Sequence, residues 1–338
     1  MNMSTRHQYI ERESGTIRTE QLYGDRFIKF LYNGVRENAP LLFRLCISAH
    51  ASGLLGMINF DAPLPTSLAG NRRFLAECGV DIAECLQPPE YFDTARKFFE
   101  RQIRYWECRP LHTDPDAVVA PADARVLVGS FRESSLLFLK EKFFDYEEFL
   151  GRGRPEWLEA FEGGDFAVFR LTPDKYHYNH TPVSGEVVDI YEIGGDYHSC
   201  NPGAVVQVVT PYSKNKRVVT IIDTDVPGGT GIGLVAMIEV VALMIGEIVQ
   251  CYSAERYDNP QPVEKGMVLE KGRPKSLYRP GSSTDVLVFQ KGRVRFAEDL
   301  VRNMHNANVE SRFSLGFGRT LIETDIRVRS LVASAAVT

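Results

Sequence analysis

The sequence predicts an α+β fold, in which a helical N-terminal region packs on a mainly antiparallel β-sheet domain. Two observations predict it. Residues 1–112 carry apolar residues at helical spacing, whereas beyond residue 113 short runs of Val, Ile, Phe and Tyr alternate with Gly, Pro, Asn and Asp clusters. Such runs, without long helices between them, are typical of antiparallel sheets. We therefore expect two regions, 1–112 and 113–338.

The clearest helix of the first region is expected after the Pro88-Pro89 pair, because proline suits the first turn of a helix. Charged residues fill the face opposite the apolar one, and Arg109-Pro110 should end the helix. A shorter helix is expected over residues 142–150 of the second region. The apolar positions of the long helix are Tyr91, Phe92, Ala95, Phe98, Phe99, Ile103 and Trp106.

Strands are expected wherever β-branched and aromatic residues cluster between turn residues in the second region. The glycine-rich segment 228–233 lacks the Gly-Lys-Ser/Thr ending of a phosphate-binding P-loop, so we interpret it as a loop between strands. The expected strands are 118–120, 125–128, 166–170, 186–191, 204–209, 217–223, 235–241 and 285–289.

Composition excludes several classes of protein. The net charge is −5, which does not suit a nucleic-acid-binding surface. Six cysteines form no CxxC pair, as expected for reduced thiols in a cytoplasmic protein. The N-terminus lacks the apolar core of a secretory signal. The apolar stretch 234–249 is too short and too charged to span a bilayer, which leaves peripheral membrane contact open.

Four residues stand out as candidates for chemistry. His177 and His180 lie three apart and could bind a metal, but no further ligand set accompanies them, so we expect no metal. They are either structural histidines or acid–base groups. Asp123 lies between two expected strands and is either a turn residue or a partner that orients a histidine. Ser283 lies in the small-residue loop 280–285, which is either a simple turn or a place where a serine can attack its own backbone.

Together these residues resemble the phosphatidylserine decarboxylase family. The resemblance extends over about residues 90–325 and includes segments well beyond the candidate residues. The matching segments are FFER at 98–101, RP at 109–110, APADARV at 120–126, FEGGDFAVFRLTPDKYHYNHTPVSG at 161–185, NP at 201–202 and NKRV at 215–218.

The resemblance implies that the chain cuts itself between Ser282 and Ser283 into a β chain, 1–282, and an α chain, 283–338. Ser283 would become a covalent pyruvoyl cofactor, with Asp123 orienting His180, His180 deprotonating Ser283, and His177 protonating the substrate carbanion. Ser282 is the alternative nucleophile. Choosing it would shift the following strand by one residue and reverse its side-chain alternation, so we favour Ser283.

The same resemblance implies the conversion of phosphatidylserine to phosphatidylethanolamine. It also implies a homodimer in the cytoplasm, with peripheral contact at the inner face of the cell membrane, for which region 28–60 offers apolar surface. Two positions depart from the family: Tyr178 replaces an arginine and Ala124 a glycine. Two alternatives therefore stay open: a decarboxylase of a soluble amino acid, and an unprocessed, non-catalytic protein that binds lipid or a partner.

Overall fold

The computed structural model of the protein describes residues 6–22, 79–131, 145–207, 211–242, 247–279 and 283–336. Some of the expectations above fall outside these ranges. They are the apolar region 28–60, the first residues of the helix expected over 142–150, and Ser282. No helix among the described residues is long and apolar enough to cross a bilayer.

Short helices and sixteen strands make up the described part of the chain. Two 3-10 turns, Ile82–Glu84 and Pro89–Tyr91, precede the first α-helix. The α-helices are α1 Ala95–Phe99, α2 Tyr105–Cys108, α3 Tyr146–Leu150, α4 Pro155–Ala160, α5 Pro202–Gln207, α6 Pro211–Lys214, α7 Glu298–Met304 and α8 Arg312–Phe317. The strands are β1 Gln8–Glu11, β2 Ile17–Thr19, β3 Ala117–Val119, β4 Ala124–Ser130, β5 Asp165–Leu171, β6 Tyr178–His180, β7 Gly185–Ile193, β8 Arg217–Asp223, β9 Leu234–Val241, β10 Ile248–Gln250, β11 Val268–Leu269, β12 Pro274–Tyr278, β13 Ser283–Phe289, β14 Val294–Phe296, β15 Glu323–Ile326 and β16 Leu331–Ala335.

A ten-stranded sheet forms the centre of the molecule, in the order β11-β7-β8-β9-β13-β5-β4-β15-β1-β2. Its pairings are antiparallel except for the parallel pair β1 and β15. Every residue of β5 and β13 is buried, which explains their nearly continuous apolar sequences. The chain is thus a mixed α/β protein, mainly β, and the predicted antiparallel sheet is confirmed.

A second, three-stranded sheet has the order β10-β12-β6, and its strand β6 contains the end of the histidine segment, residues 176–180. A third sheet has the order β14-β16-β3. Residues beyond 283 are interleaved with those before it. In the large sheet, β13 lies between β9 and β5, and β15 lies between β4 and β1. Backbone hydrogen bonds on both sides of these strands would therefore hold the two parts of the chain together after a cut before Ser283.

The strand expected over 204–209 is wrong, because its described residues belong to helix α5. The side-chain oxygen of Asn201 accepts a hydrogen bond from the Gly203 backbone N–H at 2.8 Å, and Pro202 occupies the first helical position. Asparagine before proline is a strong helix-start signal. This cap outweighs the strand preference of the valines that follow.

The long helix expected from Tyr91 to Trp106 is also wrong, since the helical segments α1 and α2 are separated by an extended stretch. The backbone N–H of Arg104 donates to the Glu84 carbonyl at 2.8 Å, and that of Leu86 donates to the Gln102 carbonyl at 2.9 Å. These pairings with a distant segment use the backbone groups that a continuous helix would need. Tertiary pairing thus overrides the helical pattern of apolar residues.

The N-terminal region also contains strands β1 and β2, where the sequence predicts mainly helix. A buried ion network joins this region to the sheet. Arg170 donates to Glu20 and Glu323 at 2.6 Å each, and Arg125 forms an ion pair with Glu20 at 2.5 Å. His7 and the two glutamates could hold a metal ion by their spacing. The guanidinium groups already supply the positive charge, so we assign the cluster a structural role.

Candidate functional site

Ser283 is the first residue of the central strand β13, where it lies between Leu171 of β5 and Val241 of β9. Its side chain is buried, and its hydroxyl has no hydrogen-bond partner among the described residues. A buried hydroxyl without a partner is costly in a structural position. The geometry therefore leaves this oxygen available for chemistry at the point where the chain enters the sheet.

The histidine segment approaches Ser283 through the three-stranded sheet. Strand β6 pairs with β12, and the backbone N–H of Tyr278 donates to the His177 carbonyl at 3.0 Å. Tyr278 ends β12, five residues before Ser283 in the sequence. His180 lies opposite Pro274, at the other end of the same pairing. Because Tyr278 is the end of β12 that leads to Ser283, we call this the Ser283 end of the small sheet. His177 lies at this end, and His180 lies at the opposite end.

His177 is a neutral imidazole in a closed environment. The side chain is fully buried, its ring lies 4.9 Å from that of Phe99, and neither ring nitrogen has a hydrogen-bond partner among the described residues. Burial, together with the positive charge of Arg101, lowers the pKa of His177 to about 3. At neutral pH its ring therefore carries one proton and one free lone pair.

His180 is equally buried, but both of its ring nitrogens have partners. Nδ1 lies 2.9 Å from the Gly272 carbonyl oxygen, and Nε2 lies 3.0 Å from the Tyr176 hydroxyl. A carbonyl oxygen can only accept, so Nδ1 must donate. Gly272 has φ 77°, a left-handed conformation that glycine adopts without strain. Burial lowers the pKa of His180 to about 3, so that this ring too is neutral at pH 7.

Asp123 is buried beside the histidines, but its hydrogen bonds go to other groups. Arg109 donates from Nη2 to Oδ2 at 2.8 Å, and the Val328 backbone N–H donates to Oδ1 at 2.8 Å. Burial alone would raise the pKa of Asp123, yet the charge and hydrogen bonds of Arg109 lower it to about 2. The carboxylate acts on both histidines through its charge alone. Arg109, which the sequence analysis treats as a helix end and as part of a matching segment, is thus the direct partner of Asp123.

A buried polar cluster beside strand β13, close to Ser283, was not predicted from the sequence. Asp285 lies two residues after Ser283, so its side chain is on the same face of the sheet, and Glu239 lies opposite it in β9. Lys275 donates to Glu239 at 2.7 Å, and the Tyr278 hydroxyl donates to Asp285 at 2.7 Å. Burial and the charge of Glu239 raise the pKa of Asp285 well above its ordinary value. The sequence signal that could have predicted this cluster is the aspartate inside the otherwise mainly apolar strand STDVLVF.

Aromatic rings enclose the histidine segment. Tyr178, at the position of the family arginine, stacks on Tyr176 with ring centroids 5.6 Å apart, and its hydroxyl accepts from Gln102 at 3.3 Å. Tyr105 contacts the His180 ring edge-on at 4.7 Å. These rings exclude water from the imidazoles, which is the physical reason for their low pKa values. No sequence pattern predicts the contact between Tyr105 and His180.

A polar cavity of about 420 Å³ opens beside Asp123 and Tyr176. Its lining includes Arg101, Arg109 and Lys175, together with acidic residues such as Asp174. The mixed charges provide donors for an anionic or carboxylate-bearing group next to the histidine segment.

Comparison with known proteins identifies relatives over most of the chain. The family model described as phosphatidylserine decarboxylase matches residues 95–322. A phosphatidylserine decarboxylase proenzyme of Fusobacterium nucleatum is 30% identical over 310 residues, covering 91% of this chain and 95% of that protein. The proenzyme of Bordetella petrii is 32% identical over 239 residues, or 67% and 79% of the two chains, and that of Chlamydia trachomatis is 30% identical over 294 residues, or 87% and 90%.

Asp123→Asn should lower stability in a pH-dependent way. The pKa of Asp123 is lowered on folding, so its carboxylate contributes stability above about pH 4, and this contribution is lost as the pH falls towards 2. We expect the variant to be less stable by about 2 kcal/mol at pH 7 and by much less near pH 2. Urea unfolding from pH 2 to 7, with both proteins carrying Ser283→Ala, measures the difference. A difference independent of pH would contradict the assignment.

Proposed function

The chain belongs to the phosphatidylserine decarboxylase family, and we propose that Ser283 is the residue at which it processes itself. The protein is a proenzyme that cuts its own chain and then, as a carboxy-lyase with a serine-derived pyruvoyl group, converts phosphatidylserine to phosphatidylethanolamine. The observation that carries the assignment of Ser283 is its buried hydroxyl at the entrance to β13, which has no hydrogen-bond partner in the part of the chain that the structure describes. That oxygen is free to turn towards the carbonyl of the preceding residue.

The cut proceeds in two steps on the chain's own atoms. The Ser283 oxygen attacks the Ser282 carbonyl carbon and gives up its proton to a base. The peptide C–N bond breaks as the C–O bond of an ester forms, and the Ser283 nitrogen takes up a proton. Loss of the Ser283 α-proton then breaks the Cβ–Oγ bond and releases residues 1–282 with a free carboxylate. Water replaces the nitrogen of the remaining dehydroalanine, which leaves ammonia and a ketone.

The residues around Ser283 suit such a group. When present, the pyruvoyl group withdraws the electrons released as CO₂ leaves the substrate, a role that no ordinary side chain fills. Strand β13 holds position 283 in register between two neighbours, and the burial of this position excludes water. A neutral histidine near this position can accept or return a proton at neutral pH.

The two histidines can share the acid–base work in two ways. By resemblance, His180 deprotonates Ser283, Asp123 supports the resulting charge, and His177 protonates the product carbanion. Two observations favour the reverse assignment: the ring nitrogens of His177 have no hydrogen-bond partner within the described ranges, and His177 lies at the Ser283 end of the small sheet. We keep the first assignment as the proposal and treat the second as the competing outcome of the test below.

The proposal also covers the arrangement of the two regions, the contact with the membrane and the oligomeric state. We propose that the N-terminal region, 1–112, packs on the sheet domain, 113–338, with region 28–60 docking the protein on the inner face of the cell membrane as a homodimer. The apolar composition of that region supports this proposal. A membrane-bound substrate makes such docking useful, because the lipid headgroup must enter the cavity beside Asp123.

Ser283→Ala should abolish the cut, because no hydroxyl remains at the position that enters β13. The variant should run as one chain of 38.1 kDa on a denaturing gel, whereas the unaltered protein gives two fragments. Ser282→Ala is the matched control and should still be cut, since its hydroxyl is not the nucleophile. Normal cutting of Ser283→Ala, or loss of cutting in Ser282→Ala alone, would contradict the assignment.

Alanine variants of the two histidines should separate the roles. We expect His180→Ala to slow the cut by about 100-fold or more, the range for loss of a general base. His177→Ala should still be cut but should lose decarboxylation. Gel-based cutting rates and CO₂ release measure the two steps separately. The opposite pattern would establish His177 as the base for cutting.

The substrate is tested with phosphatidylserine vesicles and with free amino acids as competing substrates. We expect CO₂ release from vesicles and little from free serine, because the family acts on the lipid. The uncut Ser283→Ala protein provides the background rate. Turnover of a soluble amino acid, with none on vesicles, would favour the alternative that Tyr178 in place of arginine raises.

A further inference from the structure

The backbone carbonyl of Ser283 has a thiol beside it. Cys200 Sγ lies 3.7 Å from the Ser283 carbonyl oxygen and donates a hydrogen bond to it, at a distance that suits the larger sulfur atom. A carbonyl oxygen can only accept, so the sulfur must carry its proton. This oxygen has two lone pairs and can therefore accept from the thiol alongside a hydrogen bond within the sheet. The thiol has no role in the steps of the cut proposed above.

The segment that carries Cys200 is held against the end of strand β9. The Asn215 side chain accepts from the His198 backbone N–H at 2.7 Å, and its amide group donates to the carbonyls of His198 and Val241 at 2.8 and 2.7 Å. Val241 lies opposite Ser283 in the register of β9 and β13. On the other side, Cys200 is followed directly by the cap of helix α5. Both ends of the segment are thus fixed, which holds the sulfur beside β13.

The contact between the thiol and the carbonyl is closed to water. Cys200 and Ser283 are both buried, and the Ser283 hydroxyl has no hydrogen-bond partner among the residues that the structure describes. In a buried site, a hydrogen-bond donor interacts more strongly with a developing negative charge than it does in water. Even a weak donor such as a thiol can therefore stabilise charge on Ser283.

Negative charge develops on the Ser283 carbonyl oxygen in the second step of the cut. In that step a base, either water or a neutral imidazole, takes the Ser283 α-proton. The electron pair of the broken C–H bond spreads from Cα onto the adjoining carbonyl oxygen, as in an enolate. The pair then forms the Cα–Cβ double bond as the Cβ–Oγ bond breaks, and Oγ leaves as part of the carboxylate of residue 282. Because an α-proton beside an amide carbonyl is weakly acidic, a donor at that oxygen assists the step.

We propose that Cys200 is a catalytic residue of self-processing, whose thiol stabilises the charge on the Ser283 carbonyl oxygen while the ester is eliminated. This inference rests on the proposed role of Ser283 as the nucleophile, and it does not depend on which histidine acts as a base. The first step places charge on the carbonyl oxygen of residue 282, which is a different atom. The thiol therefore assists elimination and not ester formation, and it keeps its proton throughout.

Cys200→Ala should form the ester and then eliminate it slowly. Under mild conditions hydroxylamine cleaves such an ester but not a peptide bond, so it releases residues 283–338 with an N-terminal serine from any chain that has stopped at the ester. We expect freshly synthesised variant to contain hydroxylamine-sensitive chains and to finish cutting about 10-fold more slowly, less than for loss of a strong oxyanion donor. Denaturing gels with and without hydroxylamine, and the mass of the released fragment, measure both effects.

Cys108→Ala is the matched control. The Cys108 thiol also donates to a backbone carbonyl, that of Arg104 at 3.1 Å, but this bond lies within helix α2. The control should be cut at the unaltered rate and should yield no hydroxylamine-sensitive chains. Should Cys200→Ala fail to fold, Cys200→Val replaces it with the same expected direction, because valine fills the space of the thiol but cannot donate.

Infrared spectroscopy tests the hydrogen bond itself, without any cut. The S–H stretch absorbs where other protein groups do not, and it moves to lower frequency when the thiol donates. The difference between Ser283→Ala proteins with and without Cys200→Val isolates the Cys200 band, since the backbone carbonyl of position 283 is present in both. We expect this band below the frequency of a thiol that has no acceptor. A band at that frequency would overturn the inference.

The cutting assays separate this inference from the function on which it rests. Cutting of Cys200→Ala at the control's rate with no ester trapped, while Ser283→Ala stays uncut, would overturn the role of the thiol and leave the proposed function intact. A slow variant whose uncut chains resist hydroxylamine would also overturn it, because the block would then precede the ester. Normal cutting of Ser283→Ala would overturn both.

Discussion

The register of β13 between β5 and β9 is the constraint on which the rest of the site depends. Every residue of this strand pairs on both sides, from Ser283 to Phe289. A slip of one residue would turn Ser283 to the opposite face and place Asp285 among apolar side chains. The strand therefore fixes both the position and the direction of the nucleophile.

Burial is the second determinant, and it acts on charge. His177 and His180 are both fully buried, and burial lowers the pKa of each to about 3. Neutral imidazoles can take up a proton at neutral pH, but an enclosed site stabilises the resulting cation poorly. Asp123 is committed to Arg109 at short distances, so it supports that proton through its charge alone. The site thus combines readily available bases with limited support for their charged forms.

Much of the framework around the proposed site was predictable from the sequence, because its strands have strong local patterns. Continuous apolar runs predicted β5, β8, β9 and β13, and the structure has strands there. Helix α5 was missed because an Asn201-Pro202 cap outweighs a valine-rich segment. The long helix predicted after Pro89 does not form, because the backbone of that segment pairs with residues around Glu84. Contacts between segments distant in sequence prevent the long helix and also pair Asp123 with Arg109, and local sequence patterns do not predict such contacts.

Intact-mass spectrometry of the freshly purified, active protein tests the central claim most directly. The account predicts two masses, one for residues 1–282 and one for residues 283–338. The second should be lighter by one ammonia than a fragment beginning with serine, because a ketone replaces the amine. An active protein that shows only the mass of the uncut 338-residue chain would contradict the account.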